Sequence, residues 1–160
     1  MQFAAICYLI REMERRTEVC LSRKKRGYGE GLLHAYGGVL QPLETPRRCA
    51  ARETFEESSA IVHERSLNHI ARVTTYAKNH LWRVQVFTCT EWRGSPGETE
   101  EQGPPEWYAL DRLPFGQMFP DRKYWLYRAL SKELLNVEML VGPEGRDVHL
   151  AYFRKLAEAA

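Results

Sequence analysis

Glu53, Glu56 and Glu57 stand within the segment RETFEES at spacings of three and four residues. On a helix, those spacings put all three carboxylates on one face. Like charges so placed repel by about a few tenths of a kcal/mol per pair, which a solvated acidic face tolerates. The surroundings point to more than a solvated face. A glycine pair, Gly37–Gly38, precedes them; Glu44 follows Gly38 by six residues; Arg52 lies four before Glu56 and can pair with it. Further upstream, Arg23–Gly31 (RKKRGYGEG) carries four basic residues and then three glycines at alternate positions. Hard divalent cations want oxygen ligands, and Mg2+ takes one or two carboxylates together with substrate phosphates. A carboxylate helix beside a glycine turn and a cationic loop therefore suits a metal–polyphosphate site. Metal there would neutralise phosphate charge and acidify or orient a water.

The elements that must hold these residues can be read outward from the helix. Thr45–Pro46 is a helix start, since Thr accepts from a free amide and Pro suits the first helical position. The helix should run to about Ser58, with Pro46, Ala50 and Thr54 as a small-residue stripe that packs closely on a sheet. Phe3–Ile10 reads as a buried strand, although periodicity also admits a helix. Arg11–Arg16 turns the chain, and Glu18–Ser22 returns as a strand. Arg23–Gly31 is expected to be a flexible cationic loop: a solvated turn, a nuclear-localisation-like run, or, given the downstream carboxylates, a phosphate grip. Leu32–Tyr36 brings the chain back to the glycine pair. Ala71–Tyr76 and Leu81–Thr90 are strands, the second with one buried face. Gly94–Pro105 is polar and expected to be mobile, and Trp107–Leu110 is a short strand. After a turn at Pro114–Phe119, Asp121 is the expected N-cap of a helix from Arg122 to about Leu135. Tyr124, Trp125, Leu126, Tyr127 and Leu130 give that helix a broad apolar side. Val137–Val141 and Val148–Phe153 flank Gly142–Pro143–Glu144–Gly145 as a strand–turn–strand ending. The order predicts an α/β protein, a mixed sheet covered by helices on both faces.

At 160 residues the chain is expected to form one domain, 1–160, able to bury a core without staples. Its formal net charge of +2 does not suggest a dedicated nucleic-acid or membrane protein. Cys7, Cys20, Cys49 and Cys89 form no CxxC pair, so neither a zinc site nor a disulfide framework is indicated. The apolar N-terminus lacks a basic n-region and a convincing cleavage site. No run approaches the roughly 18 apolar residues of a membrane span. The expected setting is the cytoplasm.

The series Gly38, Glu44, Arg52, Glu53, Glu56, Glu57, spaced as Gly-x5-Glu-x7-Arg-Glu-x2-Glu-Glu, resembles the Nudix box. Two positions depart: Ser59 stands where the family has the glycine that closes the helix, and Thr54 where it prefers a bulkier apolar residue. The stretches KKRGYGEG, EWYALDRLPF and LPFGQMFPDRKYW are similar to the MutT-type branch, the oxidised-purine nucleoside triphosphatases. The resemblance implies an α/β/α sandwich around a mixed β-sheet. It also implies water attack on a phosphorus of a nucleoside diphosphate linked to a variable group, so that a triphosphate gives the monophosphate and pyrophosphate. On this likeness Glu56 and Glu57 are the principal ligands of Mg2+ (Mn2+ as alternative), Glu53 is ligand or base, and the Gly38 carbonyl is a further ligand. Arg52 orients the glutamates and Glu44 positions the loop. Some members add a loop carboxylate; the aligned position here is Gln102, with Glu100 and Glu101 beside it as candidates. Lys24 falls where the branch places a lysine near substrate, and a solvated charge is an equal reading.

The base pocket is where this chain leaves the branch. Leu33–His34 replaces a Trp-Asn pair, and Phe119–Pro120–Asp121–Arg122 replaces Trp-Pro-Asp-Asp. Paired acids can share a proton and so both donate to and accept from a base edge. Asp121 beside an inward-pointing Arg122 would instead stay ionised. Phe119 can stack on a base, Tyr28 and Trp82 are candidate walls, and His34 can donate or accept; core packing is an equal reading for each aromatic. The expected partner is a purine nucleotide, with no stable nucleic-acid partner, no membrane, and a monomer or weak dimer. The alternatives are a dinucleoside polyphosphate, nucleotide sugar or ADP-ribose as substrate, or a Nudix module that binds nucleotide or RNA without cleaving it.

Overall fold

The structure, a computed structural model, describes residues 1–142 and 147–155. Its elements in order are β1 (Gln2–Met13), β2 (Arg16–Arg23), β3 (Leu33–His34), β4 (Tyr36–Val39), α1 (Pro46–Ser58) and β5 (Ile61–Val62). They continue with β6 (Asn68–Ala77), β7 (His80–Cys89), β8 (Trp92–Arg93), β9 (Glu106–Ala109), α2 (Arg122–Leu130), β10 (Leu135–Val141) and β11 (Val148–Lys155). The main sheet runs β11-β10-β6-β7-β1-β2-β3, with β4 also on β1 and β9 also on β2. It is mixed, because β7 is parallel to β1 and β10 to β6 while the other pairings are antiparallel. The α/β class and the covered mixed sheet are as the sequence implied.

The long first strand serves two partners. Ala4–Cys7 pairs with β4, and Ile10–Met13 pairs with β2. Arg11–Arg16 is therefore not the turn: the strands run through it and only residues 14 and 15 turn the chain. Its charges belong to an extended hairpin, where Arg11 donates to the buried Glu18 at 2.6 Å.

Strand pleating sorts side chains to two faces. Ile6, Tyr8, Val73 and Val86 face α2 and pack with its Trp125, Leu126 and Ala129. Ala5, Cys7, Leu9, Phe87 and Cys89 face α1 and pack with Cys49 and Ala50. Each large apolar side chain so buried contributes about 1.5–3 kcal/mol. The end of β7 is thus buried on both faces, Val86 on one and Phe87 and Cys89 on the other, rather than on one as its alternation suggested. The second helix is shorter than expected, closing at Leu130, because Leu135 has already joined the sheet opposite Ala71. Tyr124 and Tyr127 lie exposed, so its apolar side is narrower than the sequence suggests. The expected ending strands are present, but their turn, apart from Gly142, lies outside the described residues. All four cysteines are buried and free. No helix among the described residues is long and apolar enough to cross a membrane.

Candidate active site

The helix α1 begins as its sequence requires. The Thr45 hydroxyl accepts from the Arg48 amide at 3.2 Å, and Pro46 occupies the first turn. Such a cap is worth about 1 kcal/mol. Its other end is less regular. Ser59 adopts φ 65°, a left-handed conformation that suits glycine, and its amide closes on the Phe55 carbonyl at 2.7 Å. Thr54 is fully buried, and its hydroxyl is satisfied by the Ala50 carbonyl at 2.7 Å. Hence neither departure from the box disturbs the carboxylate face.

Both box glycines answer to close approach. A side chain at Gly37 would strike the backbone of Ala5 and Ile6 on β1, and one at Gly38 would strike the Glu53 carboxylate. The Gly37 amide donates to Glu57 Oε2 at 2.8 Å. Glu57 is almost fully buried, and its Oε1 accepts from Gln102 Nε2 at 3.0 Å; Ser22 donates in turn to Gln102 Oε1 at 3.0 Å. Burial raises the pKa of Glu57, against the pull of those hydrogen bonds, and burial also raises that of Glu53. The Glu53 charge adds to the rise at Glu57, and those of Glu56 and Glu101 add to the rise at Glu53.

Arg52 organises the outer half of the face. Its Nε and Nη2 reach the two oxygens of Glu44 at 2.8 and 2.9 Å, and its Nη1 reaches Glu53 at 2.8 Å and Glu56 at 2.9 Å. The bidentate contact is a strong, directional pairing. It holds Glu44 at a pKa of about 2 and strengthens the basicity of Arg52. Glu44 is committed to Arg52 and to the Gln41 amide, which fits positioning rather than metal binding. Arg52 takes one oxygen each from Glu53 and Glu56, with no side-chain hydrogen bond to the other oxygen among the described residues.

Among the described residues, no three His, Cys, Asp or Glu side chains form a ready-made metal cage. The donor set still fits a divalent ion. Carboxylates of Glu53, Glu56 and Glu57 share one face, two of them raised in pKa by burial. A hard cation relieves that charge, and Mg2+ draws its remaining ligands from phosphate and water.

The loop between β2 and β3 is folded tightly rather than flexible. Gly27, Gly29 and Gly31 all take positive φ, between 78° and 83°, which explains their alternate spacing. Lys24 and Leu32 bond each other's ends of the loop, and Gly31 N donates back to the Lys24 carbonyl at 2.9 Å. Its cations are mostly spoken for: Arg23 with Glu106, Lys25 with Glu98, Arg26 with Glu101. Lys24 alone of the four has no ion pair among the described residues. Lys24 bridges to Gln102, the amide partner of Glu57, and its charge lowers the pKa of Glu57 and also that of His34.

The segment 94–105 is pinned rather than mobile. Gly97 N donates to the Ser58 carbonyl at 2.8 Å, the Thr99 hydroxyl to the Glu57 carbonyl at 3.2 Å, and Gly103 N to Arg23 at 2.8 Å. Glu100 and Glu101 are both exposed, and Glu101 is engaged by Arg26, although its charge contributes to raising Glu53. The buried member of the loop is Gln102, the amide partner of Glu57.

On the other face, His34, Phe119, Asp121 and Tyr28 do come together. Tyr28 stacks on Phe119 at 5.3 Å, and His34 meets the Phe119 edge at 5.1 Å. Gly29 is needed here as well, since a side chain would run into the Phe119 ring. Asp121 does not cap α2 with its side chain. Its Oδ2 instead accepts from Arg122 Nη1 and from Trp125 Nε1, the latter at 2.9 Å. Arg122 points inward, its guanidinium 5.4 Å from the Phe119 ring centre and 5.1 Å from that of Trp125. Its Nη2 meets His34 Nε2 at 3.2 Å. Trp82 lies on the α2-facing side of β7, two register steps before Val84, opposite Gln2 and Thr75.

The chain thus combines a helix of carboxylates, a lysine without an ion pair among the described residues, and a cluster of aromatic side chains. The NUDIX domain family matches residues 1–129. The chain is 36% identical over 117 residues to the oxidized purine nucleoside triphosphate hydrolase of Mus musculus, a match spanning 72% of this chain and 73% of that protein. The chain belongs to the Nudix family and is a Nudix hydrolase. Its fold resembles the crystal structure of the mutator MutT protein from Bacillus halodurans, with TM-score 0.79 at 20% identity over 96% of this chain and 97% of that one. It also resembles a C. elegans Ap4A hydrolase, with TM-score 0.62 at 18% identity over 82% and 96%. The shared fold thus carries different substrates.

Sequence reasoning did not find the roles of Ser22 and Trp125. Ser22 sits in a buried strand whose run announces only core. In the sequence Trp125 reads as part of an apolar helix side, yet its indole N–H anchors Asp121. A polar residue within an apolar strand, as Ser22 is, was the available signal.

Proposed function

We propose that this protein is a Mg2+-dependent nucleotide pyrophosphohydrolase that cleaves a purine nucleoside triphosphate, including oxidised or modified forms, to the monophosphate and pyrophosphate. The observation that carries the reading is the shared face of Glu53, Glu56 and Glu57 beside the unpaired Lys24, with an aromatic pocket a loop away. The curated relative named for oxidized purine nucleoside triphosphates supports the substrate class.

Glu56 and Glu57, with Glu53 and the Gly38 carbonyl, would hold the metal, which when bound neutralises phosphate charge and acidifies a water. Glu53 is half-buried with a raised pKa, the condition that suits a group taking a proton from the attacking water. Arg52 is a positioning residue, fixing Glu53 and Glu56 through Glu44. Lys24 steadies the polyphosphate, and Phe119 and Tyr28 hold the base by stacking, with Trp82 further along the same sheet face. Glu100 and Glu101 stay outside this assignment, because the loop turns Gln102 inward instead. A monomer or weak dimer in the cytoplasm, with no nucleic-acid or membrane partner, is the setting we infer.

The test is a substrate panel with Mg2+: purine and pyrimidine nucleoside triphosphates, 8-oxo and 2-hydroxy purines, dinucleoside polyphosphates, a nucleotide sugar and ADP-ribose. Purine triphosphates are expected to give the highest kcat/KM. Cleavage of a dinucleotide with triphosphates untouched would overturn the substrate assignment while keeping the chemistry.

A further inference from the structure

The sheet face towards α1 carries a second group of charges, away from the carboxylates and the aromatic cluster. Arg83 of β7 stands opposite Phe3 of β1, and Gln85, two residues on, stands between Ala5 and Arg72 of β6. Ala5 packs towards α1, so pleating turns Phe3, Arg83, Gln85 and Arg72 to that same face. Val84, between Arg83 and Gln85, packs on the other. Together with Leu40 and with Pro46, where α1 begins, these residues line a cleft of about 280 Å3. A neighbouring hollow of about 310 Å3 shares Pro46 and Gln85 and adds Arg47 and His69.

The cleft is cationic from several directions. No acid is among its described lining residues, and neither Arg72 nor Arg83 makes an ion pair or hydrogen bond among the described residues. Arg72 is exposed and Arg83 partly buried. Arg83 Nε is shut off from solvent without a partner, and such a group can only donate. Glu138, one strand beyond β6, lies opposite Thr74 and takes the Asn136 amide at 3.4 Å rather than an arginine. Arg47 donates to the carbonyls of Glu64 and Leu67, which leaves its charge uncancelled. α1 has no acid in its first turn, and its aligned peptide dipoles add positive potential at its start. The field is felt at His69: burial lowers its pKa, hydrogen bonds to Gln85 and Ala71 oppose the fall, and the Arg72 and Arg47 charges add to it. Like charges gathered in one cleft repel, so an anion is what the arrangement lacks.

We propose that this cleft is a second anion site, in which Arg72 and Arg83 take the phosphate group of a small molecule beside the start of α1. A planar guanidinium offers paired N–H donors that match two phosphate oxygens, and two guanidinium groups meet the charge of a dianion. The helix start favours an anion for its own reason, its free amides and dipole. Phe3, Leu40 and Pro46 make the rest of the wall apolar, so an organic group attached to the phosphate finds contact as well. Free phosphate, pyrophosphate and a phosphate monoester share this chemistry. The site is separate from the proposed reaction. None of its residues belongs to the carboxylate face or the aromatic cluster, and Trp82, next to Arg83 in the chain, points to the opposite side of the sheet.

The experiment measures binding of phosphate, pyrophosphate and a nucleoside monophosphate by calorimetry, in metal-free buffer at matched ionic strength. It uses the full chain as parent, Arg72→Gln, Arg83→Gln, Arg83→Lys and Lys24→Gln. Saturable binding is expected in the parent, weakened about tenfold or more by Arg72→Gln or Arg83→Gln, the scale of one lost hydrogen bond to a charged group. Arg83→Lys should keep part of the affinity, and Lys24→Gln, which removes the cation nearer the carboxylate helix, should leave it in place. Equal affinity for the inorganic ions and the monophosphate would assign the free ion as ligand; tighter binding of the monophosphate would assign an organic phosphate. No saturable binding in the parent, binding untouched in both glutamine variants, or binding lost in Lys24→Gln would overturn the proposal. Where a variant fails to fold, the parent still decides: pyrophosphate should protect Arg72 and Arg83 from phenylglyoxal, read by mass spectrometry. Equal modification with and without it would overturn the proposal as well.

Discussion

The carboxylate helix and the base pocket solve opposite electrostatic problems. On α1, three acids crowd one face; Glu53 and Glu57 are raised in pKa, and one arginine, Arg52, offsets only the outer half. Across the sheet, one inward arginine is offset by Asp121 and braced by a neutral histidine. The first site has surplus negative charge that a metal ion can discharge. The second balances its cation within the protein, against Asp121, His34 and Tyr8. The Lys24 charge is felt by both Glu57 and His34. On the proposed function the contrast divides labour: the helix would perform the reaction, and the aromatic cluster would choose what enters.

Breaking the helix should do most damage. Glu56→Gln is expected to lower kcat by at least about a hundredfold on every substrate, the scale for loss of one electrostatic element of an active site. Circular dichroism should show the fold intact, since the Glu56 side chain is half-exposed. A drop confined to some bases would blur the division drawn here.

Gln102→Glu tests the charge surplus directly. It would remove the amide donor to Glu57 and place a second acid against it in a buried site. Chemical denaturation without metal should show a loss of about 1–3 kcal/mol. Added Mg2+ should recover more stability in this variant than in the parent.

A third prediction concerns pH and the pocket. The folded His34 pKa of about 3 lies below the ordinary value of 6.5. The unfolded chain therefore binds the proton first, and stability falls as pH drops from about 6.5 towards 3. Glu44, held at about 2, adds a further loss below its ordinary value of 4.5. Melting temperature followed across this range should decline less steeply in His34→Asn than in the parent between pH 6.5 and 4.5.

The smallest effect is expected at the helix end. Ser59→Gly should stabilise the protein by about 1 kcal/mol, because its φ of 65° is unstrained for glycine. No change in any base ratio should accompany it.

The two regions also differ in how far the sequence revealed them. The carboxylate face was legible because helical spacing converts Glu53, Glu56 and Glu57 directly into neighbours, and Thr45–Pro46 marks where that helix starts. The pairing of Arg52 with Glu56 was legible for the same reason. The pocket gathers residues from β1, the β2–β3 loop, β3 and α2, and no local spacing encodes that gathering. Arg122 was visible as a departure, but its direction depended on Asp121 leaving the helix cap for Trp125. Likewise the composition of 94–105 signalled mobility, whereas its backbone is tied to Glu57, Ser58 and the basic loop. Hydrogen bonds between distant segments are the information that composition lacks.

The central claim is that the α1 carboxylates direct hydrolysis of a purine triphosphate between its α- and β-phosphorus atoms. Chromatography of the products from a purine nucleoside triphosphate with Mg2+ tests it most directly. The account predicts monophosphate and pyrophosphate in equal amounts, abolished in Glu56→Gln. Diphosphate with orthophosphate, or full turnover in that variant, would contradict it.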